Sequence, residues 1–251
     1  TRVAFVEYLQ RLADDRLVLG HRLSEWCGHG PILEEDLALA NTALDLIGQA
    51  QNFYSLAGEI EGKGRSADDF AYHRDDIDYR NCQLVELPKG DYAFTVARLF
   101  LFSAFSYLLL EELQNTKHEE FAGLAARALK ESTYHLRHAG QWMLRFGDGT
   151  DESHGRAKKA LDDLWMYTGE MFETDETDKT LLEAGLAVDL EKLRKKWLEM
   201  VGKVLNQATL EKPSDDIYMQ SGGRNGFHTE HLGHLLAEMQ ILARSHPGAE
   251  W

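Results

Sequence analysis

One stretch of the chain, residues 33–54, combines two apolar edges with a row of polar side chains between them. Steps of three and four residues place side chains on one face of an α-helix, so the pattern predicts a helix here. The first edge carries Leu37, Leu44 and Ile47, and the second carries Leu39, Leu46 and Phe53. The polar row between them consists of Asn41, Asp45, Gln49 and Asn52. Because a helix that is apolar on both flanks is typically buried, we expect this row to face an interior.

Helical spacing recurs along the rest of the chain, and no stretch shows the alternation that is typical of a β-strand. Besides residues 33–54, the predicted helices cover about 3–26, 91–115, 118–146, 151–172, 189–205 and 229–245. The long connection over residues 63–88 is expected where the second and third helices run parallel. We therefore predict an all-α fold with a four-helix bundle and additional C-terminal helices. A single domain is expected over 1–251, with the bundle at about 3–147 and the additional helices at about 150–246.

Composition and charge argue against several classes of partner. The net charge of -15 argues against binding to nucleic acid or anionic lipid, because like charges repel. The apolar run Leu99–Leu110 has twelve residues, whereas a membrane crossing needs about 20, so we interpret it as a core helix. Cys27 and Cys82 lack metal-binding spacing and are interpreted as reduced thiols, and residues 1–10 lack a signal-peptide layout. A cytoplasmic protein without a membrane partner is expected.

The bundle helices carry polar residues that can be compared with the ligands of a di-iron centre. Such a centre takes one Glu from each of two helices and Glu-x-x-His from each of the other two. Candidate interior residues are His21, Glu25, Asn41, Asp45, Gln49, Glu131, His135 and His138. Glu131 is followed three residues later by Tyr134, so His135 lies at the wrong step. The chain is therefore predicted to have no metal-ligating, cofactor-binding or catalytic residue.

Two interpretations remain open for the face that Glu131 shares with His135, His138 and Trp142. The first is a remnant metal or proton-handling site. The second is a polar core network that satisfies Asp45, Asn41 or His21 across the bundle, because buried polar groups require partners.

A second cluster covers residues 222–234, where a glycine-rich turn leads into the last predicted helix. His228, His231 and His234 follow at i, i+3 and i+6, a spacing that is a weak zinc signal. The free amides of the turn are an alternative site for an anion. We favour a tight joint that docks on a partner subunit. The partner-interface candidates are His228, Thr229, Glu230 and His231, of which Thr229 is a suitable N-cap.

Five stretches resemble the non-catalytic C subunits of bacterial phenylacetyl-CoA ring epoxidases. They are His21–His29, Glu35–Asn41, Leu44–Asn52, Tyr134–Arg137 and Gly226–Gly233. The resemblance implies a ferritin-like helical fold and a cytoplasmic role in aerobic phenylacetate breakdown. It also implies a homologous catalytic A subunit that carries the di-iron centre and binds the CoA thioester, further subunits of the complex, and a separate reductase. No catalytic residue is carried over, because no position of this sequence matches the di-iron motif.

Three functions are compatible with these patterns. The favoured one is a structural, non-catalytic subunit of a multicomponent di-iron monooxygenase that epoxidises the aromatic ring of phenylacetyl-CoA. The second is a self-sufficient ferritin-like metalloprotein or oxidase that uses Glu131, His135 and His138, or the histidines at 228–234. The third is a CoA-ester binding module, which the polar row of the second helix and the glycine turn at 222–226 suggest.

Overall fold

The computed structural model describes residues 1–249, and these residues form ten α-helices and no β-strand. The predicted all-α class is confirmed. The helices are α1 Arg2–Ser24, α2 Leu33–Glu61, α3 Ala67–Tyr72, α4 Gln83–Glu86, α5 Tyr92–Leu113, α6 Glu119–Gly147, α7 Asp151–Trp165, α8 Glu176–Ala184, α9 Leu190–Gln207 and α10 Glu230–Ser245. The chain divides into two compact units, the first comprising Thr1–Pro88 with the segment from Ser221 onward, and the second Lys89–Gln220. The prediction of a single domain stays a prediction.

The first unit is built on the pair of long helices α1 and α2, with α3, α4 and α10 packed around them. The two long helices approach closely at Gly20. A Cβ at this position would lie 2.9 Å from Ile47 Cγ1 and 3.2 Å from the Ala43 carbonyl oxygen, so a larger residue would push α2 away. A glycine inside a helix normally weakens it, and here the close packing explains its presence.

The second unit is built on the pair α5 and α6, with α7 and α9 packed on α5. By length and composition α5 could cross a membrane, but 89% of its apolar window is buried, as in the core helix of a globular protein. Its burial confirms the interpretation of the run Leu99–Leu110 as part of a core. The indole of Trp197 on α9 anchors to this helix by donating to the Leu101 carbonyl at 3.0 Å.

The structure differs from the predicted elements mainly after residue 147. The predicted helix over 151–172 ends at Trp165 and is followed by a short 3-10 helix, Gly169–Phe172. Helix α8 was not predicted because only one of its residues is a buried apolar side chain, Leu181. Its termini nevertheless carry clear signals, a capping box at Asp175 and a left-handed glycine at Gly185.

Candidate functional site

The interior between α1 and α2 is occupied by a guanidinium and an amide. Arg16 Nε donates to Gln49 Oε1 at 2.9 Å, and Arg16 Nη1 donates to the Leu12 carbonyl at 2.8 Å. The guanidinium also lies 5.1 Å from the centre of the Phe53 ring. All of these side chains are buried. A permanent positive charge at this place opposes the binding of a metal cation.

The interior between α5 and α6 is lined by neutral hydroxyl groups and one imidazole. Ser106 Oγ lies 3.4 Å from Ser132 Oγ, and His135 is buried one turn further along α6. Arg98 on α5 is also fully buried, with its guanidinium 5.9 Å from the Phe94 ring centre. Neither helix of this pair supplies a buried carboxylate.

These donors do not fit a di-iron centre. Such a centre requires several anionic oxygen ligands together with imidazoles. Within residues 1–249, no group of three or more His, Cys, Asp or Glu residues lies close enough to hold a metal ion. The two helix pairs instead carry buried amide, guanidinium, hydroxyl and imidazole groups, and the two buried carboxylates of α1, Asp14 and Asp15, are each paired with an arginine. This set of groups supports packing and hydrogen bonding in the interior.

The predicted interior residues are distributed over all degrees of exposure. Gln49 and His135 are buried, and Asn41 is exposed, while the intermediate group comprises His21, Glu25, Asp45, Glu131 and His138. The prediction of an interior position is therefore wrong for Asn41. The physical reason is that only one apolar edge of α2 is buried within the chain: Leu39, Leu46 and Phe53 are buried, whereas Leu37 and Leu44 are exposed. The predicted pairing of His135 or His138 with Asp45, Asn41 or His21 stays a prediction.

His21 lies near the C-terminal end of α1 and is partly desolvated. Its Nε2 atom is buried and has no hydrogen-bond partner. Burial lowers the pKa of His21, and the nearby negative charge of Glu25 opposes this only in part. Glu25 itself accepts a hydrogen bond from Arg22 Nη1 at 2.6 Å. The geometry thus favours the neutral imidazole in the folded state.

Acidification is therefore expected to destabilise the chain through His21. At a pH well above 6.5, the reference pKa, the imidazole is neutral in both the folded and the unfolded state. As the pH falls below this value, the unfolded chain binds the proton more readily, so the free energy of unfolding decreases. Urea denaturation at pH 7.5 and at pH 5.5 should show a smaller loss of stability for His21→Gln than for the unsubstituted chain. Equal losses in both proteins would contradict this expectation.

The histidines at 228, 231 and 234 do not converge on one point. The His228 ring is held between Glu86 Oε2, 2.8 Å from Nδ1, and the Tyr79 carbonyl, 3.1 Å from Nε2. Both partners accept hydrogen bonds, so a protonated imidazole satisfies both contacts and a neutral one satisfies only one. His231 is half-buried and His234 is exposed. The weak zinc interpretation is not supported by this geometry.

The N-terminus of α10, which follows the glycine turn, already has an anion next to it, the side chain of Glu86 of the same chain. Glu86 Oε1 accepts from the Thr229 backbone N–H at 2.6 Å, at the N-terminus of α10. Thr229 occupies the N-cap position, but its side chain makes no capping hydrogen bond. The predicted joint therefore docks on α4 of its own chain, and the His228 side chain, 4% exposed, is not accessible to a partner. Contacts of Thr229, Glu230 and His231 with a partner stay predictions.

Two buried carboxylates at the middle of α1 connect this helix to other segments of the first unit. Asp14 accepts hydrogen bonds from the guanidinium of Arg74, from the Tyr54 hydroxyl and, at 2.7 Å, from the Arg80 backbone N–H. Asp15 accepts from Arg224 Nη1 and Nη2 at 3.0 and 2.8 Å, and from the Cys82 backbone N–H at 2.8 Å. These ion pairs were not predicted, although two adjacent acids in an apolar stretch of α1 are a usable signal of buried, paired carboxylates.

Comparison with known proteins assigns the chain to a family. The family model described as phenylacetic acid catabolic protein matches residues 1–251. The chain belongs to this family. As in other members, its fold is ferritin-like and helical, so the predicted fold class is confirmed. The C subunit of the 1,2-phenylacetyl-CoA epoxidase of Escherichia coli (strain K12) is 46% identical over 244 residues, covering 97% of this chain and 98% of the relative. The resemblance given by the sequence motifs is thereby confirmed.

Proposed function

We propose that this chain is the structural, non-catalytic subunit of a multicomponent di-iron monooxygenase that epoxidises the aromatic ring of phenylacetyl-CoA. The observation that carries the proposal is the similarity to the C subunit of an epoxidase over nearly the full length of both chains. In this role the chain acts in phenylacetate catabolism in the cytoplasm. Its partners are a homologous, catalytic A subunit with a di-iron centre, further subunits of the complex and a reductase.

The polar groups of the two helix pairs support a division of labour between subunits. The companion subunit supplies the iron that activates oxygen. This chain supplies structural support, because its interior polar groups bind one another. Arg16 is hydrogen-bonded to Gln49, and Asp14 and Asp15 are hydrogen-bonded to arginines. A side chain already satisfied in this way is not free to ligate iron.

Two of the features that suggested the other two functions are accounted for by contacts within the chain. Both ring nitrogens of His228 have partners, and the carboxylate of Glu86 occupies the N-terminus of α10, where a bound anion was considered. The polar row of α2 is divided between a buried Gln49 and an exposed Asn41. A metalloenzyme and a CoA-ester module are therefore less well supported than a structural subunit.

Co-expression with the companion subunit tests the proposal. The two chains are expected to co-purify as one hetero-oligomer, and product should form from phenylacetyl-CoA only when both chains, oxygen and the reductase are present. The iron-loaded chain on its own should give no product. Turnover by this chain alone, or a companion subunit that neither binds it nor responds to it, would contradict the proposal.

A further inference from the structure

The exposed side of α2 carries a continuous row of uncharged residues, which we call the α2 stripe. It consists of Leu33, Leu37, Asn41, Leu44, Gly48, Gln51 and Ser55. Steps of three and four residues keep this row on one side of the helix, over a length of about 33 Å. All of its members are exposed except Gly48, which is half-buried.

This composition is unusual for the solvent side of a helix, which typically carries charged residues. Helix α9 follows the rule, since its exposed positions from 191 to 199 are Glu191, Lys192, Lys195, Lys196 and Glu199. On the α2 stripe, by contrast, Leu33, Leu37 and Leu44 are 71%, 55% and 67% exposed. Three exposed leucines along one helix face, with no charged residue in the row, are typical of an interaction site, whereas single exposed apolar residues need no explanation.

The spacing of apolar residues along α2 also predicts that two sides of this helix are buried. Leu37 and Leu44 belong to an apolar edge with the same helical spacing as the edge formed by Leu39, Leu46 and Phe53. The second edge is covered by the chain itself, and the first is open to solvent. The open edge thus has the sequence of a buried face and lacks a cover within this chain.

The middle of the α2 stripe permits a second helix to approach closely. At Gly48 nothing lies within 4 Å of the position that a Cβ would occupy, so this glycine is not explained by packing inside the chain. Gly20 differs, because its hydrogen atom faces α2 directly. A small residue on an open helix face lets the backbone of a second helix pack at the short end of the usual 8–10 Å range.

The charges around the α2 stripe distinguish a different subunit from a second copy. Glu34, Asp45 and Glu59 border it, and α2 contains no Lys or Arg. Two copies placed face to face would bring acidic residues together between molecules that each carry a net charge of -15. Like charges oppose such an encounter, whereas an apolar face bordered by Lys or Arg complements it.

We propose that the α2 stripe is the surface that docks the companion, iron-carrying subunit. The occupant is an apolar helix face of that subunit, bordered by basic side chains. This inference rests on the proposed function and extends it by assigning the contact to a defined surface.

The test measures the affinity of purified companion subunit for variants of this chain. Leu44→Glu places a charge on the stripe, and Gly48→Gln fills its open centre. Both positions are exposed or open in the isolated chain, so both variants should fold, and replacing a helix glycine should leave urea resistance equal or higher. Each is expected to raise the Kd about 100-fold, as for the central residues of an interface. The matched controls Ile241→Glu on α10 and Gly123→Gln on α6, also exposed or open positions, should change it by less than about threefold.

The outcomes separate the inference from the proposed function. If the unsubstituted chain binds the companion and the two stripe variants bind equally well, the surface is wrongly assigned while the proposed function stands. If the unsubstituted chain does not bind, the proposed function fails. Sedimentation of the isolated chain adds a third readout: a homodimer that Leu44→Glu dissociates would overturn the choice of occupant.

Discussion

Asp14→Ala is expected to lower the free energy of unfolding by about 3–5 kcal/mol, because it removes one partner of a buried ion pair. Asp14 is fully buried, and Arg74 is nearly so. Without the carboxylate, the Arg74 guanidinium would remain charged among the rings of Tyr54, Phe70 and Tyr79. The phenols cannot replace the lost anion, since burial raises the pKa of Tyr54 and of Tyr79 and keeps both hydroxyls protonated.

Equilibrium urea denaturation measures this effect, and the chain offers a matched control. Asp163 on α7 pairs with Lys159, but both side chains are largely exposed. Asp163→Ala should therefore change the free energy of unfolding by less than about 1 kcal/mol. A similar loss for both aspartates would mean that the Asp14–Arg74 pair does not stabilise the first unit beyond an ordinary surface contact.

Glu86→Ala is expected to lower the free energy of unfolding by about 3 kcal/mol, because three hydrogen-bond donors lose a fully buried acceptor. These donors are the His228 ring, the Thr229 backbone N–H and the Asn81 side-chain amide, the last at 2.9 Å. The first two connect the C-terminal segment to α4. The loss should therefore appear first as local opening of residues 221–245, before global unfolding.

Hydrogen exchange read by mass spectrometry resolves this local opening. In Glu86→Ala, the backbone amides of α10 should exchange faster, while those of α5 should keep their protection. Glu238→Ala on the exposed side of α10 is the matched control, and it should leave the exchange of both helices unchanged. Unchanged exchange of α10 in Glu86→Ala would show that other contacts hold the C-terminal segment.

The long helices could be predicted from the sequence because their apolar spacing is regular and their ends carry standard signals. Asp91 caps α5, and His118 and Asp189 precede α6 and α9 at the predicted places. The burial of the α2 faces could not be predicted in the same way. Spacing shows which residues share a face, but it does not show whether this chain or another one covers that face.

The ion pairs of the first unit were the hardest feature to predict. Asp15 and Arg224 are 209 residues apart, and Asp14 and Arg74 are 60 apart. No local pattern specifies partners at such separations. The sequence therefore shows two acids in an apolar stretch of α1 but not the arginines that pair with them. The departure from the di-iron motif, by contrast, could be predicted from the sequence. His135 follows Glu131 by four residues, whereas the motif Glu-x-x-His requires three.

The iron content of the isolated chain tests the central claim, that the helix pairs of this subunit do not hold a di-iron centre. The chain is incubated anaerobically with ferrous iron, freed of excess metal and analysed for iron by mass spectrometry. We expect far less than one iron per chain, with the companion subunit as the positive control. Two bound irons per chain, released when Glu131 or His135 is replaced by alanine, would contradict the claim.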